Sequence, residues 1–344
     1  MYEAFYGLSS KPFQLNPDPS FYFGSKQHSR AKAYLEYGVS RHEGFVVITG
    51  EIGAGKTMTL RALIEGLHGS EVVIGHLVTT QLDAEDTLRS VAASFGLQHE
   101  DLTKSALLKN LEDFLGAATR QGKRALLVVD EAQNLTPRAV EELRMLSNFQ
   151  NNERSLIQTF LLGQPEFRGI LQSPDMQQLR QRVVASYHLG PLDADETRGY
   201  IEHRLRTVGW QGTPSFDSEA FAVLHRFTGG IPRRLNTTCD RLLLFGFLEE
   251  KTHFGEAEVN EVIADLKNEI AHQDFHGATG INHHAPAGNG LHNDDVMHLT
   301  QRVEQMERSI NRILPIVRKI LYTVSERQAA ADEGSPPENH DITH

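Results

Sequence analysis

The spacing of hydrophobic residues changes along this chain, and the changes mark its elements. Four short runs, 45–49, 72–78, 125–129 and 156–162, are apolar at nearly every position. Runs of that length and continuity suit strands covered on both faces, as in a parallel sheet. Between them the period becomes helical. Asp83 with Asp86 three residues on predicts an N-cap and a helix to Phe95. Leu107, Leu108, Leu111, Phe114 and Leu115 predict a core-facing helix over 103–120, and Thr136-Pro137 opens another through Leu143 and Leu146 to about Gln150. A short strand follows at 186–189. Strands alternating with helices predict an α/β fold with a parallel sheet and helices on both of its faces.

From Pro191 onward only helical periods remain, over 193–208, 217–227, 232–249 and 256–270, which predicts a small all-helical domain. The other end of the chain is aromatic and turn-rich. Pro12, Pro17 and Pro19 exclude a helix there, and Ala31, Tyr34, Leu35 and Gly38 share one face of a helix expected over 27–40. This N-terminal strap is expected either to cover the sheet or to lie beside a ligand held at its edge. The expected organisation is a core with strap over 1–190, a helical lid over 191–270, a linker rich in His, Gly and Asn over 271–295, an amphipathic coiled-coil helix over 296–327 and a polar tail over 328–344. In the coiled-coil segment Val296, Leu299, Val303, Met306, Ile310, Ile313, Val317 and Ile320 keep one apolar seam, which calls for a second copy or another protein, and Pro315 would kink it. The linker histidines, His283-His284 among them, show no metal-ligand spacing.

The candidate chemistry sits where the first apolar run ends. Gly50-Glu51-Ile52-Gly53-Ala54-Gly55-Lys56-Thr57 is a complete G-x-x-x-x-G-K-[ST] loop, preceded by a strand and followed by a helix that begins near Met58. Glycines there let backbone N–H groups surround phosphate oxygens, and a helix N-terminus adds its positive end. Lys56 would reach the outer phosphates of ATP and Thr57 would hold Mg2+. The third apolar run ends in Asp130-Glu131, the Walker B arrangement. Asp130 would position Mg2+, and Glu131 would orient and deprotonate the attacking water. Gln164 closes the fourth run, where its amide could hold a water. Arg180 and Arg182 precede the short strand 186–189 at the expected sheet edge, and either could serve a neighbour's γ-phosphate. Arg233 follows Pro232 in the first turn of a lid helix, where a cation opposes the macrodipole unless an anion lies near.

Composition narrows the setting. The net charge of −11 over 344 residues does not favour nucleic acid as the main partner. The single cysteine, Cys239, offers no intramolecular disulfide, no run approaches the roughly 20 apolar residues of a spanning helix, and the N-terminus lacks the pattern of a secretory signal. The expectation is a cytoplasmic protein that meets a membrane only through partners.

With these residues in place the chain resembles the AAA+ ATPases of the general secretion pathway protein A family, most nearly those associated with PEP-CTERM/exosortase exopolysaccharide loci. The matching pieces are Phe5-Tyr6-Gly7-Leu8, Lys11-Pro12-Phe13, Pro17-Asp18-Pro19, Tyr37-Gly38, the phosphate loop, Asp130-Glu131-Ala132-Gln133, Gly163-Gln164-Pro165-Glu166, Gln181-Arg182 and Gly230-Ile231-Pro232-Arg233. The resemblance implies an αβα core with a helical lid, sensor-1 and sensor-2 roles for Gln164 and Arg233, and an arginine-finger role for Arg182. It implies a homo-oligomer that regulates or powers assembly of a secretion or exopolysaccharide export system, contacting it through the C-terminal helix. Longer relatives carry a membrane span and a peptidoglycan-binding region that have no counterpart here. Three rivals remain at this stage. One is a DNA-associated AAA+ switch of the transposition type, left open by Arg198, Arg204, Arg206, Arg226 and Arg241. The others are a small-molecule P-loop kinase, against which Asp130-Glu131 and the arginine-bearing lid argue, and a scaffold that binds ATP without turnover.

Overall fold

Five parallel strands form the centre of the molecule in the order β2-β3-β6-β1-β7. The computed structural model describes residues 1–41, 43–66, 72–78, 83–151 and 154–277. Residues 271–277, expected to begin the linker, instead continue the last lid helix; the rest of the linker, the coiled coil and the tail lie outside the described residues.

In chain order the elements are α1 (Tyr2–Phe5), α2 (Lys26–Arg41), β1 (Phe45–Gly50), α3 (Lys56–Gly66), β2 (Val72–Val78), α4 (Ala84–Ser94), α5 (Lys104–Arg120), β3 (Arg124–Asp130) and α6 (Pro137–Leu146). A two-residue pair, β4 (Gln150–Asn151) and β5 (Arg154–Ser155), leads into β6 (Ile157–Gly163), α7 (Glu166–Gln172), α8 (Gln177–Arg180) and β7 (Val183–Leu189). The lid contributes α9 (Ala194–Thr207), β8 (Ser215–Phe216), α10 (Ser218–Thr228), α11 (Pro232–Leu248), β9 (His253–Phe254) and α12 (Glu256–Gly277).

Every residue of β1 and β6 is buried, as their unbroken apolar runs require, because helices cover both faces of the sheet. Val46 and Ile48 pack with Ala31 and Leu35 of α2 and Leu60 and Leu63 of α3, while Phe45 and Val47 point to the other side, toward α4, α5 and α6. The helix starts follow their caps: the side chains of Asp83, Thr103 and Thr136 accept from Asp86, Ala106 and Ala139 respectively. The run 72–78, expected to be fully buried, is an edge strand that leaves His76 and Val78 exposed. The helix expected to reach Gln150 stops at Leu146, because Gln150 and Asn151 pair with Ser155 and Arg154.

The strap divides: its helix α2 covers the sheet through Ala31 and Leu35, whereas the turn-rich segment before it packs on the lid. Tyr2, Tyr6, Leu8, Phe13 and Phe21 are buried in one cluster with Ile201, Leu205, Leu224, Leu235 and Leu243 of the lid. A helical turn forms at Tyr2–Phe5 despite the expectation, since it precedes the first proline by seven residues, and it delivers the Tyr2 hydroxyl to Asp240 at 2.5 Å. The lid also departs from pure helix, for Ser215–Phe216 and His253–Phe254 form a short parallel pair. Strap, core and lid form one unit over 1–269, and a second unit begins at Ile270.

Candidate functional site

Sheet order decides which loops meet. Strand β6 lies between β1 and β3, with Thr49 level with Gly163 and Val129 level with Leu161. The residues just past these three strand ends, the phosphate loop, Gln164 and Asp130-Glu131, therefore emerge side by side at one end of the sheet.

Within the loop the ammonium of Lys56 donates to the carbonyls of Gly50 at 2.7 Å and Glu51 at 3.1 Å. Burial pulls the Lys56 pKa below that of a free lysine, against the opposing charges of Glu131, Asp130, Glu51 and Glu166. The Thr57 hydroxyl donates to Asp130 Oδ2 at 3.1 Å. These two oxygens, one neutral and one anionic, suit a hard cation that takes its remaining ligands from phosphate and water, so the residues fit Mg2+. Bound there, it would neutralise charge on the outer phosphates.

Glu131 has a left-handed backbone, φ 53°, which turns the chain out of β3 immediately after Asp130. Its Oε2 accepts from Gln133 Nε2 at 2.6 Å and from Gln164 Nε2 at 3.1 Å. Gln133 also accepts from the backbone N–H of Gln164 at 3.0 Å, so β3 and β6 are cross-linked through one side chain. Burial pushes the Glu131 carboxyl up, but the two amide donors and the charge of Lys56 more than reverse it and hold the group below the ordinary carboxylate range. Glu131 is thus an oriented, ionised acceptor at neutral pH.

The lid supplies the opposite wall. Arg233, in the first turn of α11, donates its backbone N–H to the Gly53 carbonyl at 3.1 Å. Gly53 has φ 81° and sits so close to Arg233 that a Cβ there would strike the Arg233 side chain. Lys56, Thr57, Asp130, Glu131 and Arg233 line one cavity of about 430 Å3, together with the strap over 14–18 and the lid residues Tyr200, Arg204 and Asn236. Ile52 and Met58 line it as well, whereas Ala54 faces away, its carbonyl accepting from His28 Nε2. The strap therefore both joins the lid core and borders the cavity.

Arg182 is not in this cavity. Its carbonyl accepts from the N–H of Phe45, at the start of β1, whereas the phosphate loop leaves the other end of that strand, about 17 Å away at 3.3 Å per residue. Its guanidinium donates to Ser147 Oγ at 2.7 Å and Asn148 Oδ1 at 2.5 Å, and it borders an open polar surface with Arg144, Gln177 and Gln181. Arg180 is exposed and donates to the Leu171 carbonyl at 2.8 Å. The lid arginines that left DNA open as a partner are largely engaged within the lid. Arg198 and Arg206 both bind Glu202, Arg241 binds Glu269, and Arg204 is buried.

Residue-level reading missed His28, Gln133 and Arg204 as parts of the site, whereas the strap, expected over the sheet or beside a ligand, lines the cavity with residues 14–18. Gln133 lay within a quoted motif without a role. The contact between His28 and Ala54 spans 26 residues and leaves no local signal.

A family model described as an AAA domain matches residues 39–171. General secretion pathway protein A of Aeromonas hydrophila is 40% identical over 248 residues, which are 72% of this chain and 45% of that protein. An uncharacterised HTH-type transcriptional regulator of Methanocaldococcus jannaschii is 24% identical over 185 residues, 52% of this chain and 42% of that protein. The chain thus spans less than half the length of each of these curated relatives. Among solved structures the ORC2 protein of Aeropyrum pernix, in ADPNP-ADP complexes, superposes with a TM-score of 0.58 at 14% identity, covering 74% of this chain and 71% of that one. At that identity the likeness is one of fold. The core is a P-loop NTPase domain of the AAA type, a class that hydrolyses ATP, followed by a helical lid.

Proposed function

We propose that this chain hydrolyses ATP with Mg2+ as a AAA+ ATPase similar to general secretion pathway protein A, and that an oligomer completes its catalytic site. The observation that carries the reading is the convergence of Lys56, Thr57, Asp130, Glu131 and Arg233 on one cavity between core and lid. Glu131 accepts the proton of the attacking water, a role for which its ionised state and its two amide donors suit it. Gln164 fixes the orientation of Glu131, and Arg233 brings positive charge from the lid to the phosphates.

Arg182 serves the neighbouring subunit. Its distance from its own phosphate loop and its place on an open polar surface support action in trans, where an arginine is worth about 10^3 to 10^5 in kcat. The finer reading is that ATP turnover regulates or powers assembly of a secretion or exopolysaccharide export system, with the C-terminal helix as the contact. Its support is the 40% identity to the secretion-pathway relative and the N-terminal motifs quoted above. Among the described residues no helix is long and apolar enough to cross a membrane, which agrees with attachment through a partner.

Phosphate release from Mg-ATP, measured across protein concentrations, tests the reading. Specific activity is expected to rise with concentration, and E131Q to abolish it while retaining ATP binding. Activity independent of both concentration and Arg182 would remove the shared site.

A further inference from the structure

The phosphate loop is held from outside at two successive carbonyls. The backbone N–H of Arg233 donates to Gly53 at 3.1 Å, and the imidazole of His28 donates to Ala54 at 3.0 Å. His28 is 5% exposed and belongs to the first turn of α2, and no step of the reaction described above uses it. A carbonyl can only accept, so Nε2 must carry the proton. Nδ1 is then the acceptor for the hydroxyl of Ser25 at 2.7 Å, itself buried at 3% exposure. Both ring nitrogens are satisfied in one neutral tautomer, and burial lowers the His28 pKa in keeping with that form.

A trans peptide is planar, with its C=O and N–H on opposite sides. Anchoring the Ala54 carbonyl on His28 therefore turns the Gly55 N–H the other way, toward the cavity that Gly53, Gly55 and Lys56 line. Gly55 adopts φ 102°, and a Cβ there would lie 2.5 Å from His28 Nε2, so the ring and the loop are built against each other. The start of α2 is in turn fastened to the lid. The Lys26 N–H donates to Glu196 Oε1 at 2.8 Å, inside the capping box that opens α9.

We infer that His28 is a positioning residue for phosphate binding: its Nε2–H orients the Ala54–Gly55 peptide so that the loop presents its amide to the nucleotide's phosphates. The inference rests on the reading of the loop as a nucleotide site. It adds a residue outside the loop that sets the affinity for phosphates and links it to the lid.

The test compares H28L, which removes the donor, with H28Q, whose amide can still reach the carbonyl. Dissociation constants for ADP and for inorganic pyrophosphate are measured by calorimetry, and KM and kcat for ATP are measured separately. H28L is expected to weaken ADP and pyrophosphate by the same factor, roughly tenfold for one aligned hydrogen bond. KM should rise accordingly with kcat little changed, and H28Q should stay near the native values. Native affinity in H28L, or equal loss in H28Q and H28L, overturns the inference. If H28L does not fold, H28N carries the comparison, since its shorter amide falls short of Ala54, and native affinity there is equally fatal. Failure of the native chain to bind ADP or ATP would instead sink the nucleotide-site reading itself.

Discussion

Gln164 Nε2 donates to Glu131 Oε2 at 3.1 Å, so the residue just past β6 holds the carboxylate just past β3. In the proposed mechanism the pair makes Gln164 a partner of Glu131 at least as much as a sensor of phosphate. Removing the amide in Q164A leaves Gln133 donating to that oxygen. We expect kcat to fall about 100-fold, the scale of a misplaced general base, with the ADP dissociation constant unchanged. Single-turnover hydrolysis checks this, and an undiminished rate would show that Glu131 stays oriented without Gln164.

Complementation separates an arginine that acts in trans from one that holds its own subunit together. E131Q retains Arg182, and R182A retains Glu131, so each lacks a different half of a shared site. Each alone should be inactive, and a mixture should regain activity, because an R182A subunit beside an E131Q neighbour has an intact base and receives an intact arginine. A mixture as inactive as its components would place the defect of R182A within its own fold, through the lost contacts to Ser147 and Asn148.

The pH dependence of nucleotide affinity should carry the mark of Lys56. Burial depresses its pKa from the ordinary 10.5, and only the charged form attracts phosphate. Affinity is therefore complete below the depressed pKa and is lost as pH rises through it, so the alkaline limb of kcat/KM should begin below pH 10.5. In K56R, whose guanidinium stays charged, ATP should bind more weakly but without that limb. The same limb in K56R would assign it to another group.

Much of this architecture was legible because it is local. The loop from Gly50 to Thr57 announces itself by residue type, and Asp130-Glu131 stands at the end of a run too apolar for anything but an inner strand. The caps at Asp83 and Thr136 set helix starts to within a residue. What sequence did not show depends on pairing between distant segments. That 72–78 lies at the sheet edge follows from strand order, which an apolar run does not encode. The strap's aromatics demanded burial but could not say against what, and the lid, about 200 residues away, supplies it through contacts such as Ser9 N–H to the Val208 carbonyl. Arg182 was placed correctly at the edge, yet only the structure puts it at the end of the sheet remote from its own phosphate loop.

Arg204 tests how strap and lid depend on each other. It is 5% exposed, and its guanidinium donates to the carbonyls of Pro12 at 2.6 Å and Gln14 at 3.1 Å and to the Tyr200 hydroxyl at 2.9 Å, while lying over the ring of Phe21 at 4.6 Å. Three acceptors in a fork and an aromatic face suit the planar guanidinium and not an ammonium. In R204A the strap carbonyls lose a buried charged donor, which should lower stability by about 3 kcal/mol, and R204K should recover less than half of that. Because the strap over 14–18 borders the nucleotide cavity, R204A should also weaken ADP binding at temperatures where the protein remains folded. Urea titration with and without ADP measures both effects. A stable R204A with native ADP affinity would show that the strap is held by its buried aromatics alone.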